Sequence, residues 1–304
     1  MELQTSVAGI LLEHPLMNGA GTCKLLEGSE GVRELARSNT AAIMVGTITI
    51  EQREGNSGEV YWANEMFSLN SLGWPNPGRL YYQQHLPTMA VLSHNAGKPL
   101  FVNVGGGGPD EYATLTELAL EGGADLVELD LSCSSIWEKG QQKRIPCFVP
   151  QLVREILRCV EEKVGEEAKV AVKLSPFSDP FALGEVAKVI GEWKLVKVVT
   201  STNTFPNAFS YDEKGKPRLT PGGGFAALGG PAIKPIGLGQ VKQLRSLLPS
   251  RMDIIGVGGI IAGSDILDYQ RAGAVAVQIA TALLGRRLKV FSQLLSELIS
   301  IASN

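Results

Sequence analysis

The chain has 304 residues and a mass of 32.5 kDa, which is room for two ordinary domains or for one α/β barrel of about 250 residues. Its 28 basic and 31 acidic side chains give a net charge of −3, which argues against nucleic acid or another polyanion as partner. With 44% apolar and 19% charged residues, the composition supplies a core and excludes a disordered chain.

Eight short apolar, β-branched runs follow in order, at 15–22, 41–50, 99–106, 124–133, 168–176, 195–204, 252–260 and 274–283. They are nearly continuous rather than alternating, as strands buried on both faces of a parallel sheet are. Helical periodicity occupies 111–123, 150–165, 183–193, 237–248, 264–273 and 287–300, and several of these segments close on glycine, which tolerates the left-handed C-cap. This alternation predicts a (β/α)8 TIM barrel in a single domain over 1–304, with an open doubly wound sheet as the alternative. Residues 51–82 and 205–235 break the rhythm. They read as long loops after strands, which in a barrel lie over the C-terminal face where active sites form.

The N-terminus has no basic leader, and no window approaches the ~18 apolar residues of a membrane span. Four cysteines without a C-x-x-C pair or a histidine cluster point away from zinc or disulfides and toward a reducing, cytoplasmic setting. No metal site is expected. His14, His85 and His94 fall at or near predicted turns and receive no role.

Chemistry concentrates at the strand ends. Gly258 and Gly259 end the seventh run, and Ala280 and Thr281 end the eighth, the usual place for phosphate in this fold. Their main-chain N–H groups can ring a phosphate without a basic side chain; the plainer reading of Gly258-Gly259 is a tight turn. Lys173 ends an apolar strand, where a lysine needs a counter-charge such as Asp130 or a ligand. Cys133 ends another. A free cysteine defaults to a small buried hydrophobe, but a strand top in a barrel favours chemistry. Cys147 and Cys159 read as structural, and Cys23 lies near the first βα turn. Asn70 and Asn203 carry both donor and acceptor, which suits a cyclic amide or imide; turn formation is the simpler role.

MNGAGT (17–22), REGN (53–56), SLNSLGWPNPG (68–78), ELDLSC (128–133), VKLSP (172–176), TNT (202–204), ALGGPAIKP (227–235), GVGGI (256–260) and QIATAL (278–283) together resemble the dihydroorotate dehydrogenases. The likeness is greatest to the soluble, fumarate-linked branch with a cysteine base, and it runs over nearly the whole chain. It implies FMN surrounded by Ala20, Gly21, Thr47, Asn103, Lys173, Gly229, Gly230, Gly258, Gly259, Ala280 and Thr281, with Lys173 at the flavin's N1/C2=O edge. It further implies Cys133 as general base, and Asn70, Gly73, Asn203 and Thr204 around a pyrimidine-like ring. The implied reaction removes a proton to Cys133 and a hydride to flavin N5, converting dihydroorotate to orotate in pyrimidine biosynthesis. A free thiol is mostly protonated at neutral pH, so activity should rise toward alkaline conditions. A homodimer and a small electron acceptor are implied by the same resemblance.

The chain departs from the family pattern at three positions. A lysine of the second strand aligns with Gly46, an asparagine before the cysteine with Asp130, and one after it with Ser135, so that Asp130 and Ser135 enter the substrate set in altered form. The first two changes each make the site one unit more negative, and charges 4 Å apart interact by about 4 kcal/mol at an effective dielectric of 20. A paralogue acting on a neutral or cationic dihydropyrimidine or another activated alkene is therefore an alternative, since related flavin barrels that reduce uracil share the S-C and T-N-T pieces. A barrel that binds FMN without turnover is another.

Overall fold

The computed structural model describes residues 3–22, 28–138 and 140–302. Every apolar run forms a strand: β1 (Leu16–Asn18), β2 (Ile43–Ile48), β3 (Leu100–Val104), β4 (Leu126–Asp130), β5 (Val170–Leu174), β6 (Val196–Ser201), β7 (Asp253–Val257) and β8 (Ala276–Ile279). They form one parallel sheet in the order β1-β8-β7-β6-β5-β4-β3-β2, so chain neighbours are sheet neighbours and the sheet curls back to bring its first and last strands together. It is a TIM barrel.

At the seam between β1 and β2, main-chain bonds from the Ala41 N–H to the Leu16 carbonyl and from the Gly21 N–H to the Gly46 carbonyl flank a side chain that completes the closure. Asn18 is fully buried; its Nδ2 donates to the Met44 carbonyl at 2.8 Å while its Oδ1 accepts from the Met44 N–H at 2.9 Å. The amide stands in for the missing strand pairing, so that buried main-chain groups of β2 keep their partners.

Side chains two residues apart on a strand share a face, and this sets two layers inside the barrel. The lower layer is apolar: Met17, Met44, Phe101, Leu126, Ala171, Val198, Ile255 and Ala276, closed from below by Val7 and Leu12 of the antiparallel hairpin Thr5–Val7 and Ile10–Leu12. One step up the same strands are Asn103, Glu128, Lys173, Thr200 and Gln278, all buried and all polar. The apolar floor fixes the barrel, and the polar layer faces the C-terminal mouth.

Around the strands lie α1 (Gly28–Arg37), α2 (Arg79–Asn95), α3 (Pro109–Glu121), α4 (Pro150–Val164), α5 (Pro180–Gly191), α6 (Lys234–Leu247), α7 (Gly263–Ala272), α8 (Thr281–Arg286) and α9 (Lys289–Ala302). Proline at the first turn starts α3, α4 and α5, where no N–H is needed. Six helices match expectation. Three do not: α1, α8 and α2, which carries Pro87 in its interior and has little contrast between its faces. His85 and His94 consequently lie on α2 rather than at turns.

The two long segments are likewise more ordered than loops. Tyr61–Ala63 and Ser68–Asn70 from the first pair with Phe205–Ala208 and Ala226–Gly229 from the second, in a four-stranded antiparallel sheet. Asn70 lies opposite Ala227 and Ser68 opposite Gly229. This cap has its own small core of Leu69, Leu219 and Ala226.

Candidate active site

Between the barrel mouth and the cap lies an open cleft. Five of the eight strand ends contribute to it, on the face where barrel topology places sites: Ala20 and Gly21 follow β1, Lys173 lies next to last in β5, Asn203 and Thr204 follow β6, Gly258 and Gly259 follow β7, and Ala280 and Thr281 follow β8. Asn70, Gly229 and Gly230 line it from the cap. Thr47 and Asn103, expected beside them, do not line the cleft. Both are buried, and Asn103 lies in the polar layer beneath. Sequence reasoning missed Gln278, Ser68 and Tyr61, which also line the cleft. Gln278 was legible as the polar residue two places before Ala280 in an otherwise apolar strand.

Lys173 carries the only positive charge among the described residues that line the cleft. Its Nζ lies 3.5 Å from Glu128 Oε1, with the lysine side chain 7% exposed and the glutamate fully buried. Glu128 also accepts from Asn103 Nδ2 at 2.8 Å, Thr200 Oγ1 at 2.7 Å and Gln278 Nε2 at 3.1 Å. A buried carboxylate needs that many donors to offset lost hydration. The counter-charge of Lys173 is therefore Glu128 and not Asp130, although Asp130 is its register neighbour on β4. Asp130 turns to Trp74, whose indole donates to Oδ2 at 3.2 Å, and to Ser132, whose N–H and hydroxyl donate to Oδ1 at 3.2 and 2.6 Å.

The segment after β4 holds the thiol. Cys133 is half-buried, with Sγ 3.4 Å from Ser135 Oγ, and does not itself line the main cleft. Its neighbours are fixed on both sides. Ser135 Oγ accepts from the Gly73 N–H at 3.1 Å, and Ser132 Oγ accepts from Asn203 Nδ2 at 2.9 Å. Asn203 Oδ1 accepts from the Thr204 N–H at 2.8 Å. Asn70 and Ser135 border a narrow adjoining crevice. Gly73, Asp130, Cys133 and Ser135 thus form a linked rim beside the cleft rather than its walls.

Gly46 has no room for a side chain: its φ is +106°, and a Cβ would stand 2.2 Å from the Asn103 carbonyl oxygen. Cys147 is fully buried, which pushes its thiol up to about 12, in keeping with a structural role. Cys23 lies outside the described residues. Among the described residues no His, Cys, Asp and Glu group of three can hold a metal, and no helix is long and apolar enough to cross a membrane.

Fold and cleft define a (β/α)8 barrel with a binding cleft at its C-terminal mouth. The family model for dihydroorotate dehydrogenase matches residues 2–302, and the chain belongs to that family. It is 32% identical to the catalytic subunit of the NAD(+)-linked dihydroorotate dehydrogenase B of Thermoplasma acidophilum, over 98% of this chain and 92% of that one. It is 30% identical to the fumarate-linked dihydroorotate dehydrogenase A of Lactococcus lactis subsp. cremoris, over 97% and 93%. A solved structure of the Eimeria tenella enzyme in complex with ferulenol superposes with a TM-score of 0.83 at 19% identity, covering 99% of this chain and 84% of that one, a likeness of fold.

Membership makes the chain an oxidoreductase acting on a CH–CH bond and implies a flavin cofactor. The cleft fits one. Asn103 Oδ1 and Gln278 Oε1 are buried acceptors with no partner among the described residues, and Gln278 lines the cleft, where a ring N–H would satisfy such an oxygen.

Proposed function

We propose that the chain is a single-domain FMN-dependent dihydroorotate dehydrogenase that oxidises dihydroorotate to orotate in pyrimidine biosynthesis, with Cys133 as general base. FMN, when bound, supplies the two-electron acceptor for the hydride leaving the substrate carbon. Ala20, Gly21, Gly229 and Gly230 would flank it, with Thr47 and Asn103 supporting from below. The Gly258-Gly259 and Ala280-Thr281 main chain would hold its phosphate. Lys173 would meet the N1/C2=O edge, where an ammonium favours the negative charge of the reduced ring.

Cys133 takes the proton from the carbon beside the ring carbonyl, and the Ser135 hydroxyl at 3.4 Å orients the thiol. Asn203 has its oxygen and one N–H engaged within the protein, so it offers one remaining N–H to a ring carbonyl. Asn70 Nδ2 donates to the Ala227 carbonyl at 3.2 Å, which leaves its oxygen for a ring N–H. Gly73, Asp130, Ser135 and Thr204 would complete the substrate site.

The observation that carries the reading is the linkage of the Cys133 loop to both sides of the mouth, to Gly73 through Ser135 and to Asn203 through Ser132. A base must be held within reach of its proton, and these bonds hold it beside the cleft that Lys173 lines. The proposed protein is cytoplasmic and homodimeric and uses a small electron acceptor.

A neutral dihydropyrimidine is the second reading, favoured by Gly46, where no side chain fits to meet a substrate carboxylate. Anaerobic titration of the yellow holoprotein decides. Flavin bleaching by dihydroorotate supports the first reading, bleaching by dihydrouracil alone supports the second, and bleaching by neither removes both.

A further inference from the structure

The glycines of the seventh strand serve a tyrosine as well as a ligand. Tyr269 on α7 is fully buried, and the space it fills exists only because three residues lack side chains. A Cβ at Gly237 would lie 2.2 Å from its hydroxyl oxygen, one at Gly256 2.3 Å from its ring, and one at Gly258 3.3 Å from the hydroxyl. In this slot the single hydroxyl proton is shared between the carbonyl oxygens of Val257, at 3.1 Å, and Gly258, at 2.7 Å, and the Val257 oxygen also accepts from the Thr202 N–H at 3.1 Å.

Those two carbonyls belong to the peptide units whose N–H groups are carried by Gly258 and Gly259. In a planar trans peptide the N–H points opposite to the C=O. Fixing both oxygens on one buried hydroxyl therefore turns both N–H groups to the other side, and Gly258 and Gly259 line the cleft. Gly258 at φ +124° and Gly259 at φ +68° hold backbone that L side chains rarely adopt, and with no Cβ they leave their N–H groups bare to an anion. Lys234, whose Cβ lies beside Gly259, has its Nζ paired with Asp265 and with Asp268, the latter at 2.8 Å.

We propose that Tyr269 is a positioning residue for the cofactor's phosphate, acting through the main chain of Gly258 and Gly259 without touching the ligand. This inference rests on the FMN reading above.

The test compares FMN with riboflavin, which lacks the phosphate, by quenching of flavin fluorescence on binding to the wild-type chain and to Tyr269→Phe. The variant keeps the ring in its slot and removes only the hydroxyl. FMN affinity is expected to fall about tenfold, the size of effect a lost buried hydrogen bond produces, while riboflavin affinity stays within about twofold. Equal losses for both flavins, or no loss for FMN, overturn the assignment and leave the FMN reading standing. A wild-type chain that binds neither flavin overturns both. If Tyr269→Phe does not fold, Gly237→Ala carries the test, because its methyl carbon would stand 2.2 Å from the hydroxyl and 2.9 Å from the Val257 carbonyl oxygen and so disturbs that same contact. The same FMN-specific loss supports the assignment, and an unchanged FMN affinity ends it.

Discussion

Lys173 and Glu128 face each other inside the barrel from adjacent strands, Nζ to Oε1 at 3.5 Å, with the carboxylate sealed from solvent and the ammonium at the floor of the cleft. Breaking a buried pair costs more than the pair is worth, because one charge is left without compensation. Glu128→Gln is therefore expected to lower unfolding free energy by about 3 kcal/mol. Adding Lys173→Met to that variant should recover most of the loss. Urea denaturation of the single and double variants measures both, and a Glu128→Gln protein as stable as the parent contradicts the pairing.

Cys133→Ala is expected to abolish oxidation of the dihydro-substrate while the yellow colour of the bound flavin remains. Cys147→Ala should leave turnover intact, because its buried thiol, pushed up to about 12, supplies no thiolate near neutral pH. Stopped-flow bleaching under anaerobic conditions separates the two. Normal turnover by Cys133→Ala removes the thiol from the chemistry.

The barrel's strands were legible because each apolar run is buried on both faces, a pattern that the parallel sheet imposes. The cap was not. Asn70 and Ala227 pair across a long stretch of intervening chain, and strands of three or four residues leave no periodicity to read. The counter-charge of Lys173 was misassigned for a related reason. Glu128 and Asp130 share one face of β4, and the Trp74 indole, arriving from elsewhere in the chain, together with the nearby Ser132 donors decides which carboxylate remains for the lysine. Glycines at strand ends line the cleft, but their sequence does not reveal that Gly256 and Gly258 also make room for Tyr269.

Asn18→Ala should open the seam between β1 and β2. The substitution strips partners from the N–H and C=O of Met44, and each unsatisfied buried group costs about 1–3 kcal/mol. A loss of about 3 kcal/mol in chemical denaturation is expected, with faster amide hydrogen exchange confined at first to β1 and β2. Exchange that accelerates evenly around the barrel contradicts a local seam.

His14 links stability to pH. Burial holds its imidazole below the ordinary value of 6.5, and its Nδ1 accepts from the Leu16 N–H at 3.2 Å, a bond that needs the neutral ring. The folded state therefore binds a proton less readily than the unfolded chain. This penalty is absent above pH 6.5 and grows as pH falls below it, until the folded state also protonates. Denaturation midpoints should drop between pH 7.5 and pH 5.5, and the drop should be smaller in His14→Gln. An identical slope in that variant assigns the acid sensitivity to other groups.

Gly46 offers the sharpest contrast between a motif and its surroundings. Restoring the family's lysine there, as Gly46→Lys, suggests itself as a way to strengthen binding of an anionic substrate by supplying the missing charge. The backbone argues the reverse. At φ +106° an L side chain is strained, and its Cβ would press on the Asn103 carbonyl at 2.2 Å, a main-chain atom that moves only with β3. Asn103 in turn donates to Glu128, so the disturbance reaches the Lys173 pair. Gly46→Lys is expected to lower the melting temperature by several degrees, as a loss of about 1–3 kcal/mol does in a chain of this size, and to leave the KM for dihydroorotate no lower. A stable Gly46→Lys protein with a reduced KM shows that β2 can yield, and that the site lacks only a charge.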